Sequence, residues 1–117
     1  FYNKINKSKI AAFKKNKIKL YKIDLNNDGS LNLKKSLQKL KILGFSRILI
    51  EAGKQLTSSF LNENLVDQFE LFISSKKLNN KGDGSIKKYF NTHLKNKKYI
   101  YENVNLFGDK IRSYRLK

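Results

Sequence analysis

Cysteine, proline, methionine and tryptophan are absent from the 117 residues, and histidine occurs once, at His93. Without cysteine there are no disulfides, no thiolate metal ligands and no cysteine nucleophile. One histidine leaves little for a zinc site or a His-based triad, so no metal is expected. Negative charge is scarce as well: nine Asp and Glu face 26 Lys and Arg, a formal net charge of +17. Long apolar runs are missing too. Stretches such as Ile48-Leu49-Ile50 fall far short of the ~20 residues that span a bilayer, and no signal peptide is visible. A chain with neither cysteine nor a targeting signal is expected in the cytoplasm and off the membrane. The missing methionine, with Phe1-Tyr2-Asn3 reading like the end of a strand, suggests an internal or C-terminal piece of a longer protein. At 13.7 kDa and 39% hydrophobic residues, one modest core is within reach and two are not.

The excess of positive charge invites a nucleic-acid reading, because such a surface attracts phosphate backbones. Its distribution argues against a dedicated binding face. The basic residues spread evenly, with 8 in residues 1–30, 6 in 31–60, 5 in 61–90 and 7 in 91–117. Twenty-three of them are Lys, and 14 residues are Asn, a bias that an AT-rich coding sequence imposes on any surface. Arg, the residue suited to bidentate phosphate and base contacts, occurs only at Arg47, Arg112 and Arg115. No nucleic-acid partner is therefore expected, and a basic binding module is the weakest of the readings carried forward.

Periodicity divides the chain into alternating elements. Residues 7–15 place Ile10, Ala11 and Phe13 at helical spacing, and residues 18–23 then alternate apolar and polar as a half-buried strand does. Leu33, Leu37, Leu40 and Leu43 step by threes and fours toward Gly44, which sits where a C-terminal cap belongs. Residues 47–51 form a short β-rich run that passes through Ala52-Gly53 into a helix at 56–61, so the unit from 33 to 61 reads α, β, α. Further strands are expected at 66–74 and 99–106, with a weak helix at 86–94 between them. A Gly-containing turn at 107–110 returns the chain as a final strand, 111–116. The expected fold is therefore α/β: a mixed, largely parallel sheet flanked by helices, closed by a C-terminal antiparallel hairpin.

Two loops are weighed and set aside. Asp24, Asn26, Asp28 and Gly29 match the opening of a calcium loop, but position 12 falls on Lys35 where a bidentate Glu is required. A surface turn fits better. Residues 81–85 are likewise a loop ending in an N-cap candidate at Ser85, and His93 reads as a solvated side chain on a basic stretch.

Residues 47–59, RILIEAGKQLTSS, carry the most chemistry. In an open α/β sheet ligands gather at the carboxyl ends of strands, and here that position holds Glu51 followed by Gly53. A helix begins next. Its first N–H groups at Gly53 to Gln55, with the hydroxyls of Thr57, Ser58 and Ser59, would suit a phosphate. An ordinary strand-glycine-helix turn fits the same residues.

Residues 48–67, ILIEAGKQLTSSFLNENLVD, resemble the "LvEgGxxLxxsfLexgLvDel" signature of the reductase domain of bifunctional riboflavin-biosynthesis deaminase/reductases, which has a dihydrofolate-reductase-like fold. The similarity extends upstream through DGSLNLKKSLQKLKILGFSRILIEAG and downstream through FELFISSKKL to the closing LFGDKIRSYRL. The family's usual Gly-Gly stands here as Ala52-Gly53, its Pro after the following strand as Ser75, and a frequent glycine pair as Asn79-Asn80.

The resemblance implies that residues 1–117 are the C-terminal portion of one reductase domain, with the remainder of that domain and a zinc deaminase domain upstream. It implies NADPH-dependent reduction of 5-amino-6-(5-phosphoribosylamino)uracil to the ribitylamino form, and a homodimer. It places Glu51 against the substrate, a phosphorylated pyrimidine. Gly53, Lys54, Gln55, Leu56, Thr57, Ser58 and Ser59 line the cofactor site, whose diphosphate the helix start would hold. Hydride transfer needs no nucleophile from the protein, so the absence of cysteine is no obstacle. Two alternatives remain open: a reductase of the same fold acting on another pterin- or pyrimidine-like substrate, and the basic binding module.

Overall fold

A computed structural model describes residues 1–76, 87–102 and 107–117. The expected N-cap at Ser85, the Asn79-Asn80 pair, the 81–85 loop and the end of the 99–106 strand lie outside the described residues. The chain forms two compact units, Phe1–Leu49 and Ile50–Lys117.

The first unit holds two helices, α1 (Lys7–Lys15) and α2 (Leu33–Ile42). Both open on an Asn that accepts from the backbone three residues on: Asn6 Oδ1 from Lys9 N at 2.9 Å and Asn32 Oδ1 from Lys35 N at 2.8 Å. Such caps satisfy an N–H that the first turn leaves without a partner. Both helices close alike. After α2 the Gly44 N–H bonds Lys41 O at 3.0 Å and the Phe45 N–H bonds Leu40 O at 3.1 Å, with Gly44 at φ +94°. That pair of reversed bonds is the Schellman arrangement, and glycine takes its left-handed position without strain. Lys17 fills the same position after α1 at φ +56°, with Lys17 N bonded to Lys14 O and Ile18 N to Phe13 O.

The strand expected at 18–23 is reduced to a single parallel bridge between Tyr2 and Lys22, held by Tyr2 N to Tyr21 O at 3.1 Å and Ile23 N to Tyr2 O at 2.8 Å. Asn3 adds a side-chain bond to Ile23 O at 3.0 Å. Ile23 and Leu33 are the buried apolar residues of this unit, beside Ser36, whose hydroxyl donates back to Asn32 O. The 24–31 loop folds as a tight hairpin, closed by an antiparallel bridge between Leu25 and Leu31. Lys35, in place of the calcium loop's last ligand, reaches back to Asp24 Oδ2 at 2.6 Å. Bonding to that ammonium holds the Asp24 carboxyl below its ordinary value.

The second unit runs α3 (Lys54–Asn62), β1 (Gln68–Ile73), α4 (Lys87–Leu94), β2 (Tyr99–Glu102) and β3 (Lys110–Arg115). Its sheet has the order β1-β3-β2, and both pairings are antiparallel. The register sets Phe69 opposite Tyr114 and Tyr114 opposite Tyr99. Tyr114, 4% exposed, is the most enclosed side chain of that row and meets Phe69 and Tyr99 at centroid distances of 6.5 and 5.3 Å. Phe90 of α4 covers Phe69 edge-on at 5.3 Å, and Phe60, Leu61, Leu94 and Ile111 are buried as well. Between α3 and α4, His93 Nε2 lies 2.8 Å from Asn62 Oδ1, so the one histidine is a half-buried helix-to-helix bond donor and not the solvated side chain expected.

A largely parallel sheet is not what forms. Residues 45–53 carry no strand, and the central strand of the sheet is β3, not 47–51. The physical reason is a missing ladder. The Ile48-Leu49-Ile50 run needs neighbouring backbone on its edges and cover on both faces to become a buried strand, whereas Leu49 is 83% exposed. The antiparallel C-terminal hairpin does form as expected, with Phe107 and Gly108 both at positive φ before β3.

Candidate functional site

Glu51, Ala52 and Gly53 lead into α3 as irregular backbone, and Glu51 is exposed. The expectation that Glu51 ends a central strand is therefore corrected, while its place just ahead of a helix entrance stands. Gly53 is the N-cap of α3, with φ −69° and ψ 175°, an extended conformation open to any residue. A Cβ built on Gly53 meets nothing within 4 Å. The glycine is thus not demanded by its own backbone; it leaves open space at the helix mouth.

Gly53 supplies no side-chain cap, and the first turn of α3 contains no acidic residue. The first intrahelical bond from this end runs from Thr57 N to Gly53 O at 3.1 Å. An N-terminus without an internal carboxylate keeps its positive potential available to an anion from outside. Gln55 and Leu56 lie on the opening turn and are exposed, and Lys54 brings a cation to the same turn.

The three hydroxyls are arranged otherwise than a diphosphate cradle would have them. Thr57 Oγ1 donates to Ala52 O at 3.1 Å, Ser58 Oγ to Lys54 O at 2.7 Å and Ser59 Oγ to Gln55 O at 3.1 Å. Each proton is spent on the backbone, and Ser58 is buried. Thr57 instead pins Ala52 to the first turn and so fixes the direction in which Glu51 enters. The far end of α3 closes on Asn64 at φ +55°, with Asn64 N bonded to Leu61 O and Leu65 N to Phe60 O.

Open hollows among the described residues include two that residues 51–59 do not line. One, of about 410 Å³ in the first unit, is lined by Leu37, Lys41, Gly44, Phe45, Ser46 and Ile48. The other, of about 500 Å³ in the second unit, lies along Gln68, Glu102, Ser113 and Arg115. Among the described residues, no group of three His, Cys, Asp or Glu side chains could hold a metal ion, and no helix is long and apolar enough to cross a membrane.

Sequence reasoning passed over a third feature, the stacking of Arg112 on Tyr99 and Tyr101. The signal was present: Tyr99 and Tyr101 on one strand, and Lys110, Arg112 and Tyr114 on the next, each follow the two-residue repeat that puts side chains on one face.

Compared with known families, residues 3–101 match the model of the RibD C-terminal domain. No curated protein matches the chain. The match takes in both helices of the first unit and the whole helix entrance at 51–59.

Proposed function

The chain belongs to the RibD C-terminal domain family, the reductase domain of riboflavin biosynthesis, and on that premise we propose that it reduces 5-amino-6-(5-phosphoribosylamino)uracil to its ribitylamino form with NADPH. The observation that carries this reading is the entrance to α3, where an exposed carboxylate stands two residues before an uncapped helix start with open space at Gly53.

The fit to the cofactor is partial and specific. Gly53 leaves room for a diphosphate to approach the backbone, and the opening turn at Lys54, Gln55 and Leu56 supplies the positive end of the dipole. NADPH supplies the hydride. Thr57, Ser58 and Ser59 shape the turn through their backbone bonds and do not reach for phosphate. Glu51 accepts from hydroxyls of the substrate's sugar and orients the carbon to be reduced, a positioning task that needs charge and reach.

The test is steady-state turnover of this substrate with NADPH, on the natural protein and on Glu51→Gln. The variant keeps the shape and removes the charge, so turnover falls while cofactor affinity stays. Normal turnover in Glu51→Gln removes the residue from the site. Turnover of another pterin- or pyrimidine-like compound, with none of this one, transfers the chain to a different reductase of the family. The same reading includes a zinc deaminase domain upstream and a homodimer, which light scattering of the intact protein at micromolar concentration checks.

A further inference from the structure

The three-stranded sheet sorts its charges by face. Because paired residues share a face, one side carries Gln68, Glu70, Phe72, Ile100, Glu102, Ile111, Ser113 and Arg115, and the other carries Phe69, Tyr99, Tyr101, Lys110, Arg112 and Tyr114 with Leu71 and Ile73. Both carboxylates of the sheet lie on the first side, where Glu70 and Glu102 flank the Ser113 hydroxyl and share its one proton. Among the described residues of the sheet, the second side holds cations and phenols and no acid. Asp109, just ahead of β3, is engaged by Ser74 and Ser75 through its Oδ1.

On that acid-free side Arg112 is held in place. Its guanidinium carbon lies 4.7 Å from the Tyr99 ring centre and 5.6 Å from that of Tyr101, and one terminal nitrogen donates to Tyr101 Oη at 3.3 Å. Its Nε–H is enclosed and has no acceptor among the described residues. Tyr101 is 53% exposed and Lys110 is exposed, so the cluster opens to solvent at its outer end.

We propose that Arg112, Tyr101 and Lys110 form a binding site for a phosphate group carried on a small molecule. The planar fork of an arginine matches a tetrahedral oxyanion with two parallel bonds, and a guanidinium already fixed between rings gives up little freedom on binding. Lys110, one pleat away on the same strand and face, adds a second positive charge, and the Tyr101 hydroxyl adds a neutral donor. The site shares no residue with Glu51 or α3 and does not rest on the reading given for them.

The experiment follows the Arg112 Nε–H resonance by nitrogen-15 NMR during titration with inorganic phosphate and with ribose 5-phosphate at constant ionic strength. The expected result is a saturable shift of Arg112 with both, tighter for the ester, with Arg47 and Arg115 unmoved. Arg112→Gln abolishes the binding. Tyr101→Phe and Lys110→Gln, which keep the strand and its ring packing, each weaken it about tenfold, as loss of one charge-assisted or hydroxyl contact does. A non-saturating shift spread over all three arginines overturns the proposal, as does unchanged phosphate affinity in Tyr101→Phe and Lys110→Gln together. Binding of a single-stranded oligonucleotide without binding of ribose 5-phosphate also overturns it.

Discussion

The two compact units are built from similar helices, yet they differ in what their strand-like segments achieve. In the second unit three segments find one another, and the row Phe69, Tyr114, Tyr99 becomes a core strip capped by Phe90. In the first unit the alternating residues 18–23 obtain one bridge, to Tyr2, and the apolar run at 48–49 obtains none among the described residues. The lesson is that alternation states what a segment would do beside a partner, while a helix such as α2 contains its own hydrogen bonds and needs a partner only for its apolar stripe.

The largest effect that would sharpen this contrast is expected at Tyr114→Ala. Removing a side chain that is 4% exposed and touches two rings should cost about 3–5 kcal/mol. Denaturant titration followed by near- and far-ultraviolet circular dichroism should show the near-ultraviolet tyrosine signal lost while part of the far-ultraviolet helical signal, that of α1 and α2, persists to higher denaturant. Simultaneous loss of both signals would mean that the units unfold as one.

A smaller effect of opposite sign is expected at Lys17→Gly. Lys17 occupies a left-handed position at φ +56° that Gly44 fills without strain after α2, and relieving it should gain about 1 kcal/mol, less glycine's entropy in the unfolded chain. Thermal unfolding that shifts downward would show that Lys17 holds its place by a contact stronger than the strain.

The smallest effect concerns acid. Asp109 accepts from the Ser75 N–H at 2.8 Å and from the hydroxyls of Ser75 and Ser74, and these bonds, the backbone one foremost, hold its carboxyl below the ordinary value. A depressed folded value means stability that is fully present above the unfolded value of about 3.9 and is lost as the pH falls through the lower folded one. Asp109→Asn should therefore flatten the acid limb of the stability profile below pH ~4 and leave the neutral region nearly unchanged. An unaltered acid limb would assign it to Asp24 and Asp28, whose carboxyls are lowered by Lys35 and Ser30.

Much of the helical content was legible in the residues. The helix at 7–15 matched its observed ends, and Gly44 announced the end of α2 because a C-terminal glycine has one common use. The strands β1 and β3 and the hairpin turn before β3 were legible for the same reason: their signals are local. The parallel sheet was not, because a run such as 47–51 specifies its own shape and says nothing about whether another strand lies beside it. At the candidate site, the residue types were legible and their commitments were not. Thr57, Ser58 and Ser59 are ligand-capable in any sequence, and only the fold turns their protons back on Ala52, Lys54 and Gln55. Gly53 was expected to let a ligand approach the backbone closely; its own backbone, at φ −69°, would accept any residue, so its value lies in the space beside it.

That last finding makes one measurement decisive. Because Gly53 is extended and a Cβ there meets nothing within 4 Å, Gly53→Val leaves the fold intact and fills only the opening at the helix mouth. NADPH fluorescence titration of the natural protein and of this variant, with circular dichroism as the check on folding, tests whether the entrance to α3 holds the cofactor. The account predicts saturable binding by the natural protein and its loss in a fully folded Gly53→Val; equal affinity in the two proteins would contradict it.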